Sequence, residues 1–123
     1  MGMPKRLLLV DDDAKNIFAL TAVLKARSFQ VRSCPGAREA IALLEAGEEV
    51  DALLIDMMMP EMDGYEAIPL IRSLPGRADL YILAVTAQAM LGDRELCLRA
   101  GADEYISKPI DIDRLLTLLN GAP

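Results

Sequence analysis

Four short apolar runs of this chain each end on a side chain able to do chemistry. Leu7-Leu8-Leu9-Val10 leads into Asp11-Asp12-Asp13, and Ala52-Leu53-Leu54-Ile55 into Asp56. Leu80-Tyr81-Ile82-Leu83-Ala84-Val85 leads into Thr86, and Tyr105-Ile106-Ser107 into Lys108-Pro109. Brought together, carboxylates, a hydroxyl and an ammonium suit phosphoryl transfer to an aspartate under a divalent cation. Carboxylate oxygens hold hard cations, one carboxylate can act as the nucleophile, and fixed positive and hydrogen-bonding groups stabilise the transferred group. Histidine is absent, which excludes Ser-His-Asp catalysis and His-ligated zinc within this chain.

Such runs, separated by helix-like segments, are the pattern of a parallel sheet covered on both faces. All parallel strands deliver their C-terminal ends to one edge, where open α/β sheets bind ligands. The periodicity predicts strands at about 6–10, 29–34, 51–55, 80–85 and 104–107. It predicts helices at about 14–28 with Asp13 as N-cap, 37–46 stopped by Gly47, from Gly64 or Tyr65 onward, up to Ala100 with Gly101 as stop, and after Asp111. Ile17, Leu20 and Leu24 form the core stripe of the first helix, Ile41 and Leu44 that of the second, and Ile112, Leu115, Leu118 and Leu119 that of the last. Pro69 falls inside the third helical pattern and predicts a kink or a late start there. The sum is a three-layer α/β fold.

At 123 residues, 53% hydrophobic and 26% charged, the chain reads as one globular domain over residues 5–120. A net charge of −6 argues against grip on a nucleic-acid backbone. No membrane span or signal peptide is legible, so the expected location is cytoplasmic. Cys34 and Cys97 lack metal-ligand spacing and read as reduced core thiols. Met57, Met58 and Met59 read as packing rather than a soft-metal site, because adjacent side chains diverge.

The acidic cluster Asp11-Asp12-Asp13, the block Leu54-Ile55-Asp56-Met57-Met58-Met59-Pro60-Glu61-Met62-Asp63-Gly64, Val85-Thr86-Ala87 and Tyr105-Ile106-Ser107-Lys108-Pro109, in that order, resemble the receiver domain of bacterial response regulators. The likeness implies a doubly wound, flavodoxin-like, five-stranded parallel sheet of order 2-1-3-4-5. It implies Asp56 as phospho-acceptor and a Mg²⁺ site (with Mn²⁺ as an alternative ion) from Asp11, Asp12, Asp56 and the backbone carbonyl of Met58. Lys108 and Thr86 would bind the phosphoryl group, Thr86 and Tyr105 would form a switch pair, and Met58 and Gln88 would tune dephosphorylation. A cis bond before Pro109 is also implied. The implied partners are a histidine kinase or histidine phosphotransfer protein and a downstream protein or fused domain, in a two-component phosphorelay; such a domain is no turnover enzyme. Asn16 resembles receivers attached to hybrid sensor kinases.

A second reading is a haloacid-dehalogenase-like phosphatase, with Asp11 as nucleophile and Asp13 as acid/base. It needs an acidic pair after the lysine on another strand, whereas Asp111 and Asp113 open an apparent helix, and it leaves the Asp56–Gly64 block unexplained. Asp13 alone reads better as a cap. A flavin carrier would want a Ser/Thr-rich first loop, and a phosphorylation-independent interaction domain would not need the Asp/Asp/Thr/Lys set.

Overall fold

The computed structural model describes residues 5–87 and 92–121. Strands and helices alternate: β1 (Arg6–Val10), α1 (Ala14–Ala26), β2 (Gln30–Cys34), α2 (Ala37–Glu45), β3 (Ala52–Asp56), α3 (Gly64–Ser73), β4 (Tyr81–Thr86), α4 (Asp93–Ala100), β5 (Glu104–Ser107) and α5 (Ile112–Asn120). The strands pair in parallel in the order β2-β1-β3-β4-β5. The chain leaves β1 toward one side and returns to its other side as β3, so the switch point lies between β1 and β3.

Alternate residues of the central strands feed two cores. Leu8, Val10, Leu53, Ile55, Ile82 and Ala84 pack with α2, α3 and α4. Leu7, Leu9, Leu54, Leu83 and Val85 pack with α1 and α5. Burial on both faces explains why the strands read as unbroken apolar runs. In α1, Leu20 and Leu24 are buried and Ile17 is half-buried. In α5, Leu115, Leu116 and Leu119 are buried, while the expected Ile112 and Leu118 are only partly so. Cys34 and Cys97 are free and buried, as expected.

Two strand boundaries differ from the sequence expectation in an informative way. β3 begins at Ala52 and runs to Asp56, which pairs with Val85 on β4; Asp51 lies just before it, its carboxylate accepting the Arg6 amide at 2.7 Å. β4 runs to Thr86, whose carbonyl accepts the Lys108 amide at 2.8 Å. Asp56 and Thr86 therefore belong to the strands, with backbones held by the ladder. The late helix start at Pro69 does not occur. A capping box between Asp63 and Glu66 closes the first turn of α3 at Gly64, and the helix continues past Pro69 to Ser73. Pro69 is exposed while Ala67, Ile68 and Ile71 are buried, so its missing amide falls on the solvent side.

The other end of the sheet is tied by arginines. Arg72 donates to the carbonyls of Gly101 (2.7 Å) and Ala78 (3.0 Å), to the carbonyl of Leu80, and to Asp103 (3.0 Å). Arg77 donates to the carbonyls of Leu44 and Glu48. These bonds satisfy loop and helix-end carbonyls that lack ladder partners.

α3 approaches the loop after Asp56 through Gly64. The Gly64 amide donates to the Met57 carbonyl at 3.1 Å. A Cβ on Gly64 would stand 2.9 Å from the Met57 Cα and collide with its Sδ. Gly64→Ala should therefore cost about 1–3 kcal/mol, the usual range for overpacking. Urea unfolding of parent and variant measures this, and equal midpoints would show that the contact yields freely.

Candidate functional site

Strand register assembles the site. Val10 pairs with Ile55, so the next residues, Asp11 and Asp56, come out side by side. Asp56 pairs with Val85, and Thr86 with Ser107, which places Lys108 one strand beyond. Asp11, Asp56 and Thr86 are the buried polar residues of the described chain, at 3%, 5% and 3% exposure. Asp12 is exposed.

Each buried carboxylate has defined donors. Asp11 Oδ1 accepts the Asp13 amide at 2.8 Å. Asp56 Oδ1 accepts the Met58 amide at 2.9 Å. Lys108 Nζ lies 3.2 Å from Asp56 Oδ2 and 3.5 Å from Asp11 Oδ2, bridging the two. The Lys108–Pro109 bond is cis, as the resemblance implied. Met58 is exposed beside Asp56. Tyr105 is half-buried on β5, one strand from Ala84, and packs against the α2–α3–α4 core. Gln88 lies outside the described residues.

Burial pushes the Asp56 carboxyl pKa up, and the Met58 amide and the Lys108 charge pull it down without cancelling that effect; it sits above the ordinary value. Burial lowers the Lys108 pKa, but attraction to Asp56 and Asp11 outweighs it, and the ammonium is held above its ordinary value. One oxygen each from Asp11, Asp12 and Asp56 lies within 4.8 Å of the others. At that spacing Asp11 and Asp56 repel by roughly 3.5 kcal/mol for an effective dielectric near 20. An all-oxygen donor set with one exposed member suits a hard, partly hydrated cation such as Mg²⁺.

The same geometry removes the phosphatase reading. Asp13 caps α1, its carboxylate accepting the Lys15 amide at 2.9 Å, and it stays outside the acidic cluster. Asp111 likewise caps α5, accepting the amides of Asp113 and Arg114. No second acidic pair reaches the sheet edge from there.

A doubly wound parallel sheet carrying a carboxylate cluster, a threonine and a lysine at its switch-point edge defines a phospho-acceptor module. The response regulator receiver domain model matches residues 7–120, and the chain belongs to that family. It is 40% identical over 114 residues to an uncharacterised 14.6 kDa protein of Leptolyngbya boryana, covering 92% of this chain and 86% of that one. It is 36% identical to the signal transduction histidine-protein kinase BarA of Escherichia coli (strain K12), covering 92% of this chain but 12% of the kinase. In structure it resembles the receiver domain of the sensor histidine kinase PA1611 of Pseudomonas aeruginosa PAO1, described with magnesium in its active-site cleft. The TM-score is 0.88 and the identity 33%, with 97% of each chain covered. The chain is thus a phospho-acceptor domain of two-component signalling.

Sequence reasoning missed three donors to the acidic pair, the Asp13 and Met58 amides and the Asn16 side chain. The two amides were hidden because backbone donors carry no side-chain signal. The Asn16 side chain, which donates to Asp11 Oδ2 at 3.3 Å, stands five residues along, within the first turn of α1. A polar residue in the first turn of a helix that follows a reactive strand end was the available clue.

Because its folded-state pKa is raised, ionised Asp56 opposes folding. The stability linked to its protonated form is present in acid and lost as pH rises through that raised pKa. Without divalent metal, Asp56→Asn should therefore melt above the parent at neutral pH, with the gap closing in acid. Millimolar Mg²⁺ should raise the parent and narrow the gap, since it binds only the folded state. Thermal melts across pH test this; a variant that melts lower than the parent at neutral pH would refute the strain.

Proposed function

We propose that Asp56 is the residue that accepts the phosphoryl group, from a phosphohistidine on a sensor kinase or phosphotransfer protein. The observation that supports this most directly is a buried carboxylate with one oxygen on the Met58 amide and the other on Lys108, beside two further carboxylates. An Asp56 oxygen attacks phosphorus, the P–N bond breaks as the P–O bond forms, and the donor leaves as neutral imidazole because its other ring nitrogen already carries a proton. Lys108 meets the charge on the phosphoryl oxygens and the Thr86 hydroxyl donates to another, so that little reorganisation is needed during transfer. Asp11, Asp12, Asp56 and the Met58 carbonyl would hold Mg²⁺, or Mn²⁺ in its place; the bound ion offsets repulsion between the incoming phosphoryl group and the carboxylates.

Thr86 and Tyr105 then serve as a switch pair that alters the surface for a downstream protein or fused domain. The module works in the cytoplasm and handles its own phosphoryl group rather than turning over a substrate. Similarity to a hybrid kinase's receiver, together with Asn16, supports attachment to such a kinase as its context.

Intact mass after incubation with acetyl phosphate and Mg²⁺ tests the acceptor. A single metal-dependent phosphoryl adduct should form in the parent and be absent from Asp56→Asn. An adduct that survives in Asp56→Asn would overturn the assignment.

Met58 and Gln88 are the proposed rate-tuning positions. An exposed thioether beside the acceptor cannot orient an attacking water as an amide can. Met58→Asn should shorten the lifetime of the acyl phosphate, followed by loss of the adduct mass after donor removal. An unchanged lifetime would remove Met58 from that role.

A further inference from the structure

The geometry points to Asn16 as a positioning residue for the Asp11 carboxylate, an inference that rests on the proposed metal-dependent acceptor site. Asp11 Oδ2 has two donors of different kinds. Lys108 Nζ, 3.5 Å away, is charged and shared with Asp56, 3.2 Å away. Asn16 Nδ2, 3.3 Å away, is neutral. Oδ1 is fixed separately by the Asp13 amide at 2.8 Å. The carboxylate is therefore held at both oxygens by neutral donors even when Lys108 is left out of account.

That distinction matters chemically. A cationic donor orients a carboxylate but offsets the charge that attracts a metal ion. A neutral amide orients it and leaves the charge in place. When Lys108 is drawn to a phosphoryl group on Asp56, Asn16 remains as the side-chain donor on Asp11 Oδ2. Each Asp11 oxygen keeps lone-pair capacity for a cation or its water, since a carboxylate oxygen can accept more than one bond. Donors behind a ligating carboxylate commonly set metal affinity, with losses of 10–100-fold on removal.

Asn16 is half-buried, lining a groove with Ala19, Leu20, Val23, Lys108 and Ile112. The aliphatic side chains among these neighbours make Asn16→Leu a near-isosteric test that removes the donor without adding charge. Asn16→Asp removes the same donor and adds a fourth carboxylate.

The experiment is calorimetric titration of the whole chain with MgCl₂, in parent, Asn16→Leu, Asn16→Asp and Asp56→Asn, with thermal melts of each protein alone. Asn16→Leu should weaken the Mg²⁺ Kd by about tenfold and should need correspondingly more Mg²⁺ for half-maximal acetyl-phosphate labelling. Its saturated labelling should match the parent. Asn16→Asp should melt lower than the parent without metal and gain more in Tm on adding Mg²⁺. A Kd for Asn16→Leu within twofold of the parent overturns the inference and leaves the acceptor reading intact. A change in melting temperature with no change in Kd does the same, because it marks a structural contact only. A parent that takes up no Mg²⁺ overturns both.

Discussion

Asp11 and Asp56 are like charges held below the surface at the ends of adjacent strands, and their repulsion governs how the rest of the site is built. Their separation is not adjustable locally, because the β1–β3 register sets it and two cores hold those strands from opposite faces. Relief must come from groups delivered to the same edge. Lys108 arrives from the far side of the sheet, and the Asp13 and Met58 amides arrive from the two loops that follow the strands. Burial, more than the neighbouring Asp11 charge, holds the Asp56 pKa above its ordinary value, and Lys108 and the Met58 amide do not fully offset the cost of ionising it there. What remains is an affinity for a further positive centre, which is the physical basis for reading the cluster as a cation site.

The opposite edge uses the same side-chain type for a different end. Asp51 accepts the Arg6 amide and its guanidinium, and the Arg6 hydrogen bond is the main reason its pKa lies below the ordinary value. Asp103 accepts the Ile82 amide at 2.8 Å and an Arg72 nitrogen. These carboxylates are paired with arginines and backbone donors at partly exposed positions, where water screens the charge that remains, and they close the sheet. Asp11 and Asp56 share one lysine between them. The difference between the two kinds of aspartate in this fold is burial: Asp11 and Asp56 are 3% and 5% exposed, whereas the Asp51 and Asp103 side chains reach solvent.

This contrast also explains what could be read from the chain. Strands buried on both faces announce themselves as apolar runs, and a reactive residue at the end of each run gave the site edge and most of its members. The strand order could not come from the runs, since right-handed crossovers allow several; it came from resemblance and is what the pairing shows. The boundary of β3 was misplaced because Asp51 and Asp56 are the same residue in one dimension. Only the three-dimensional partners, Arg6 for one and Lys108 for the other, tell them apart. Arg72 carries no sequence sign of its role, because its carbonyl partners come from two separate segments, the loop before β4 and the end of α4. The helix through Pro69 likewise depends on which face is exposed, a tertiary fact that outweighs the local preference.

Placement of the relieving charge directly after β5 has a consequence for signalling. β5 is an edge strand of four residues, paired on one side only, so it is less constrained than β1 or β3. Lys108 follows it directly, with its amide on the Thr86 carbonyl, and Tyr105 lies three residues back on the same strand. A phosphoryl group on Asp56 would change the charge that Lys108 faces, and the strand attached to that lysine is the least anchored member of the site. Asp56 ends β3 and Asp11 directly follows β1, and both strands are clamped between two cores. On the proposed reading, the chemistry would stay at the centre of the sheet while its mechanical effect would fall on the edge strand β5.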